Sequence, residues 1–252
     1  MAEAVGAETA RGLRAAEAGR TIDHARVRDA LVISLTLLTG AMDSVAFLRL
    51  DNVFTSVMTG NMVLMGMGLG RANLGQFEHA AIAVIAYVAG AMIGGRVSGD
   101  IRPDDGVWPR QVTLALAVEF LLFVIVNVMW FVSHASLTGA EKPIMVAVAA
   151  GALGIQSSAV IRLNVTGLST TYLTGTLTGV ARSLVVDRTF RGNGRSSFVL
   201  LALVAGAALG ALLATEAPIV ATVPPLVILA GVLTGAVVVF HAPPGLGRHG
   251  SG

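Results

Sequence analysis

Asp43 and Glu119 are carboxylates set inside long apolar runs. Two stretches, Thr59-Gly60-Asn61 and Thr174-Gly175-Thr176, place polar groups in segments that are otherwise aliphatic. An acid in hydrocarbon is costly unless it is paired, protonated or facing water, so such residues mark ion or proton pathways by default. For Asp43 the structural alternative is a hydrogen-bonded acid that holds helices together, with Thr39, Ser44 or a broken helix as partner. Glu119 lies about 12 Å past Gln111 at 1.5 Å per helical residue. It suits either an ion pair with Arg96 or Arg110, or a proton or cation relay with Asp43. Glycine lets a helix break, and the half-helix ends of broken helices aim partial charges at a solute or ion near the midplane. The alternative for the Thr-Gly stretches is small-residue packing, with hydroxyls bonded back to their own helices.

Other chemistries find no residues. The chain has no cysteine, which removes disulfides, thiolate metal sites and cysteine nucleophiles. Its five histidines lie mostly at span ends or in loops, without metal-ligand spacing. Gly66-Met67-Gly68-Leu69-Gly70 lacks the Lys and Ser/Thr of a phosphate loop. No Ser/His/Asp grouping is defensible. The expectation is therefore a protein that is not an enzyme, with no metal and no cofactor. A net charge of +2 on scattered basic residues excludes nucleic acid as a partner.

The elements that must position these residues are membrane helices. Of the 252 residues 54% are hydrophobic and 13% charged, with mean hydropathy +0.77; soluble domains carry about 25% charged residues. The fold class is all-α, a polytopic membrane helical bundle. Residues 1–28 read as a polar cytoplasmic tail, 29–241 as one transmembrane domain and 242–252 as a short C-terminal tail. Eight apolar segments occur near 29–50, 53–70, 78–97, 111–133, 143–163, 168–186, 197–215 and 222–241. The fourth is bracketed by Trp108 and Trp130, read as an interfacial pair. The second and sixth are the poorest, the sixth being crowded with hydroxyls and glycine.

The chain also resembles itself. Residues 42–51 lie over 155–164, which sets Asp43 against Gln156; 58–62 lie over 173–177; and 88–94 lie over 204–210. The three matches are collinear and predict a duplication, with repeat one at 29–133 and repeat two at 143–241. Eight crossings would make the halves parallel; six crossings with two broken or re-entrant segments would invert them. Cytoplasmic loops carry the excess of Lys and Arg. Eight spans place Arg49, Arg96, Arg102, Arg110 and Arg162 outside, whereas six leave only Arg49, Arg71 and Lys142 there. Six is preferred. Gly90-x-x-x-Gly94 and Gly206-x-x-x-Gly210 are read as close-packing faces.

Gly40-Ala41-Met42-Asp43-Ser44, Phe47-Leu48, Val53-Phe54 and Met58-Thr59-Gly60-Asn61 in the first half carry a resemblance to a known family. Gly154-Ile155-Gln156-Ser157, Arg162 and 171–177 carry it in the second. The chain resembles the YoaK family of bacterial inner-membrane proteins over about 30–240, with Ser44 standing where alanine is more usual. The resemblance implies a six-span integral membrane protein and no established activity.

The residues then suggest a small-solute transporter or channel-like permease of the bacterial inner membrane, with a cytoplasmic N-terminus. Its candidate solute or ion site comprises Asp43, Thr59, Gly60, Asn61, Gln156, Thr174, Gly175 and Thr176, with Glu119 as relay. The partners are the lipid bilayer and an unknown small solute or ion, and a homo-oligomer is compatible. A non-transporting scaffold that binds another protein is the alternative from a different class.

Overall fold

The computed structural model describes residues 2–102, 104–164, 173–186 and 194–241. Helix α1 runs unbroken from Ala2 to Arg49, so the polar tail continues the first span as helix. Its Ala, Glu and Arg content favours that state. The remaining helices are α2 (Met58–Gly70), α3 (Leu74–Ser98), α4 (Arg110–Val132), α5 (Glu141–Arg162), α6 (Leu173–Val186), α7 (Gly194–Glu216) and α8 (Val223–Ala236). A 3-10 turn, Pro218–Val220, precedes α8, and a π-helical turn, Val237–His241, continues it. Among the described residues there is no strand.

Six helical segments are long and apolar enough to cross a bilayer: His24–Arg49, Leu74–Ser98, Arg110–Val132, Glu141–Arg162, Gly194–Glu216 and Pro218–His241. Helices α2 and α6 have 13 and 14 residues. At 1.5 Å per residue each reaches about 20 Å, short of the ~30 Å hydrocarbon core. Six spans and two short helices match the six-span expectation. Residues 169–172 of the hydroxyl-rich stretch lie outside the described residues.

Two tight helix pairs organise the bundle. A Cβ on Gly206 of α7 would collide with the Leu37 carbonyl of α1, one on Gly210 with the Ala41 carbonyl, and one on Gly40 with the Leu203 carbonyl. In the α3–α5 pair, Gly90 meets the Gly151 carbonyl, Gly94 meets Ile155, and Gly154 meets the Tyr87 carbonyl in the same way. Without a hydrophobic drive between helices in lipid, this contact between bare backbones supplies the packing. Each pair is also pinned by one serine: Ser44 Oγ donates to the Ala207 carbonyl at 2.8 Å, and Ser158 Oγ to the Ala91 carbonyl at 2.7 Å. In both pairs the helices run parallel. Helix α2 folds back on α3, and Gly68 lies so close that a Cβ would sit 2.8 Å from the Phe77 amide nitrogen.

Trp108 and Trp130 do lie at the two ends of α4, but both are buried in protein rather than set at the lipid interface. Trp130 Nε1 donates to the Pro218 carbonyl at 2.8 Å and Trp108 Nε1 to Thr113 Oγ1 at 2.9 Å. Thr113 Oγ1 also shares a hydrogen bond with His241 Nε2 at 2.9 Å, which docks the π-helical turn onto α4. Indole N–H groups seek a buried acceptor when the ring is packed.

Candidate functional site: an intramembrane carboxylate and a re-entrant loop

Asp43 precedes the end of α1 by six residues, about 9 Å inside that end. Asp51 and Asn52, both with φ near 60°, reverse the chain after α1. Asn and Asp tolerate this left-handed backbone better than other non-glycine residues. Residues 53–57 then run back to the depth of Asp43 in non-helical conformation, and α2 starts there. A membrane offers such backbone no water, so its N–H groups need protein acceptors. Asp43 supplies them. Its Oδ1 accepts from the Thr55 amide at 2.7 Å, Thr55 Oγ1 at 2.9 Å and the Ser56 amide at 2.8 Å, and its Oδ2 accepts from Ser56 Oγ at 2.5 Å. The carboxylate therefore faces the N-terminal end of α2, where the helix dipole favours negative charge.

Asn61 completes the loop. Its Oδ1 accepts from the Phe54 amide at 2.9 Å and its Nδ2 donates to the Phe54 carbonyl at 2.7 Å, pairing one residue's backbone as a neighbouring strand would. Thr59 is exposed and Gly60 half-buried, a Cβ on the glycine meeting the Phe54 ring and Val57 at 3.3 Å. On α6, Thr174 is exposed and Gly175 and Thr176 are half-buried. The two Thr-Gly stretches sit on different helix pairs, α2 on α3 and α6 on α7. The partners of Asp43 are the broken-helix loop rather than Thr39 or Ser44, which bond to the Leu35 carbonyl and to the Gly40 and Ala207 carbonyls.

Gln156 is fully buried on α5, and its Nε2 donates to Thr39 Oγ1 of α1 at 2.8 Å, while its Oε1 has no partner. Asp43, its match in the sequence, bonds Thr55 and Ser56 instead. The contacts of Gly40 and Ser44 on α1 resemble those of Gly154 and Ser158 on α5, a register that would set Asp43 beside Ser157. The match of 42–51 to 155–164 rests on four common residue types, Ser, Ala, Arg and Leu. Glu119 is fully buried on α4 with neither carboxyl oxygen hydrogen-bonded. The expected pairing with Arg96 or Arg110 is absent, and Asp43 is engaged by Thr55 and Ser56. Asn127 does join helices, accepting from Thr222 Oγ1 at 3.0 Å.

Beside the Asp43 knot lies a cavity of about 420 Å³ between α1, α7 and the re-entrant loop. Gly40, Asp43, Phe47, Phe54, Leu203 and Ala211 are among its walls, with Phe47 and Phe54 stacked at 4.9 Å between centroids. Thr55, Ser56 and Phe54 lie in the break and escape a reading that looks for chemistry only in helices, and Phe47 on α1 carries no polar group to single it out. The available signal is the Thr-Ser pair in the break before Met58.

At the tail-bearing end, Arg162 is buried and clasps Asp105 with two bonds, at 3.0 and 2.8 Å, while Nη1 donates to the Ser98 carbonyl. It thus caps the C-terminus of α3, as cations do favourably. That guanidinium holds the Asp105 carboxyl below the usual carboxylate range, with the Arg102 amide assisting. At the opposite end Asp51 receives Lys142 Nζ at 2.6 Å and lies 3.3 Å from His79 Nε2.

A family model described as a protein of unknown function, DUF1275, matches residues 31–237. The chain belongs to the DUF1275 family. It is also similar to the UPF0700 transmembrane protein YoaK of Bacillus subtilis strain 168, 32% identical over 161 residues that cover 64% of this chain and 68% of that one. No solved structure matches. The DUF1275 match spans all six crossing segments in whole or in large part and includes the Asp43 loop. This member of the family is accordingly a multi-pass membrane protein.

Proposed function

We propose that this DUF1275 protein is a small-solute permease of the bacterial inner membrane, not an enzyme, with its N-terminal tail in the cytoplasm. Two inverted three-span units form it. Duplication is supported by the matched contacts of Gly40, Gly206 and Gly210 with those of Gly154, Gly90 and Gly94. Inversion is supported by the opposed courses of α1 and α5, since Lys142 at the start of α5 bonds Asp51 just beyond the end of α1. The tail-bearing end carries Arg96, Arg102, Arg110, Arg162 and Arg195 against Arg49, Arg71 and Lys142 at the other, which favours a cytoplasmic tail.

One observation carries the transport reading: a carboxylate inside the membrane that holds re-entrant backbone beside a cavity of solute size. Irregular backbone at membrane depth is tolerated where it is buried or lines a water-filled path, and transporters use it to bind their cargo. Stopped-flow swelling of proteoliposomes against a panel of small solutes, with and without a proton gradient, tests the reading. At least one solute should enter faster than into empty liposomes, and Ala211→Phe should abolish the difference. Equal rates across the whole panel refute it, and a partner protein captured through the tail would then favour the scaffold. Orientation is tested separately, because the chain lacks cysteine. An impermeant thiol reagent on intact cells should label Gln76→Cys and spare Asp104→Cys; the reverse overturns the orientation.

A further inference from the structure

We infer that the cavity beside Asp43 recognises a small organic cation, a protonated amine or a quaternary ammonium with an apolar body. The inference rests on the same cavity as the permease reading and adds the substrate class. Among the described residues no Lys, Arg or His forms an ion pair with Asp43. Two backbone N–H groups and two hydroxyls solvate the carboxylate, yet none brings a compensating charge. A buried charge is normally paired or bound to a cation. Oδ1 already takes three donors, whereas Oδ2 takes one, and a carboxylate oxygen offers about two acceptor sites. The remaining capacity is thus on Oδ2, and Asp43 itself lines the cavity.

The other walls choose the rest of the ligand. Phe47, Leu48, Phe54, Val57, Leu203 and Ala211 are apolar, and Asp43 and Ser44 are the polar residues among the walls. Ser44 Oγ is spent on the Gly40 and Ala207 carbonyls. A sugar or a zwitterion would leave its hydroxyls or carboxylate without partners here. An alkylammonium matches each feature: charge to Asp43, carbon to the aliphatic walls, and cation to the face of an aromatic ring. About 420 Å³ falls within the range of small-molecule pockets. A hydrated metal ion fits poorly, since it demands several oxygen ligands and the walls are mostly carbon.

The test uses the purified full-length protein in detergent and a probe panel of choline, n-butylammonium and tetraethylammonium. The uncharged control is 3,3-dimethyl-1-butanol, which has the shape of choline without its charge. Equilibrium dialysis should find at least one cation bound ten-fold or more tighter than the alcohol. Asp43→Asn should lose at least ten-fold in cation affinity and leave the alcohol unchanged. Ala211→Phe fills the cavity from α7 with Asp43 left in place and should lose both, with hydrogen-exchange protection of Thr55 and Ser56 retained. Where Asp43→Asn does not fold, Ala211→Phe decides. Equal binding of cations and alcohol, binding of neither, or full cation binding by Ala211→Phe overturns the inference. Flux without charge preference refutes the cation class alone; charge-selective binding without any flux refutes the permease and leaves the site.

Discussion

Removing the Asp43 carboxylate should unfasten the re-entrant loop, and the cost can be worked from the bonds it makes. In Asp43→Ala the Thr55 and Ser56 amides lose their acceptor in a buried setting. Each orphaned group costs about 1–3 kcal/mol. The two hydroxyls can rotate to nearby carbonyls, so the loss falls on the amides and totals about 2–6 kcal/mol. Asp43→Asn behaves differently. Its carbonyl oxygen can take the place of Oδ1, and its amide can donate to Ser56 Oγ. The loss of charge assistance is offset by the relief of a charge in low dielectric, which holds the net cost to about 2 kcal/mol or less. Two assays read the difference. Thermal unfolding in detergent should rank wild type and Asn close together and Ala well below. Hydrogen exchange followed by mass spectrometry should show residues 53–57 protected in wild type and Asn, and unprotected in Ala. An alanine variant with wild-type stability and a protected loop would show that Asp43 is not what holds this backbone.

Other perturbations separate the remaining contacts. Gly206→Leu should disrupt the α1–α7 pair, since its Cβ has the Leu37 carbonyl in its place, at a cost of about 1–3 kcal/mol or more; Gly66→Ala, with open space around it, should raise stability by up to about 1 kcal/mol in the same unfolding assay. Asp105 has a carboxyl held low chiefly by its hydrogen bond from Arg162, so its contribution is fully present above its unfolded value near ~3.9 and is lost as pH falls through the lower folded value. Melting temperatures of wild type and Asp105→Asn should differ at pH 6–7 by a constant amount and converge in strong acid; a gap that persists there removes Asp105 from the linkage. Glu119→Met should stabilise the protein, because a buried carboxyl without partners gives way to a side chain of similar volume. A proton dependence of flux in wild type that survives in Glu119→Met would take Glu119 out of any relay.

Hydropathy, the break of two apolar segments by glycine and polar residues, and the asymmetric spread of arginine determine the class of this protein from sequence. Each is a local property: a span needs about twenty apolar residues, and 53–70 has a Thr-Ser pair and then Gly60, Gly66, Gly68 and Gly70 inside it. The small-residue faces at Gly90 and Gly206 are legible for the same reason, since only glycine admits another backbone so closely. Asp43 and Asn61 are conspicuous as polar groups in apolar runs, yet their partners are not. Thr55 and Ser56 lie twelve and thirteen residues from Asp43, and only the fold that returns the chain into the bundle brings them within 3 Å. Tertiary structure likewise decides that Glu119 stands unpaired and that both tryptophans face protein. These depend on helix rotation and register, which a shift of one residue turns by about 100° at 3.6 residues per turn. Apolar content is nearly insensitive to such a turn, whereas every side-chain partnership depends on it.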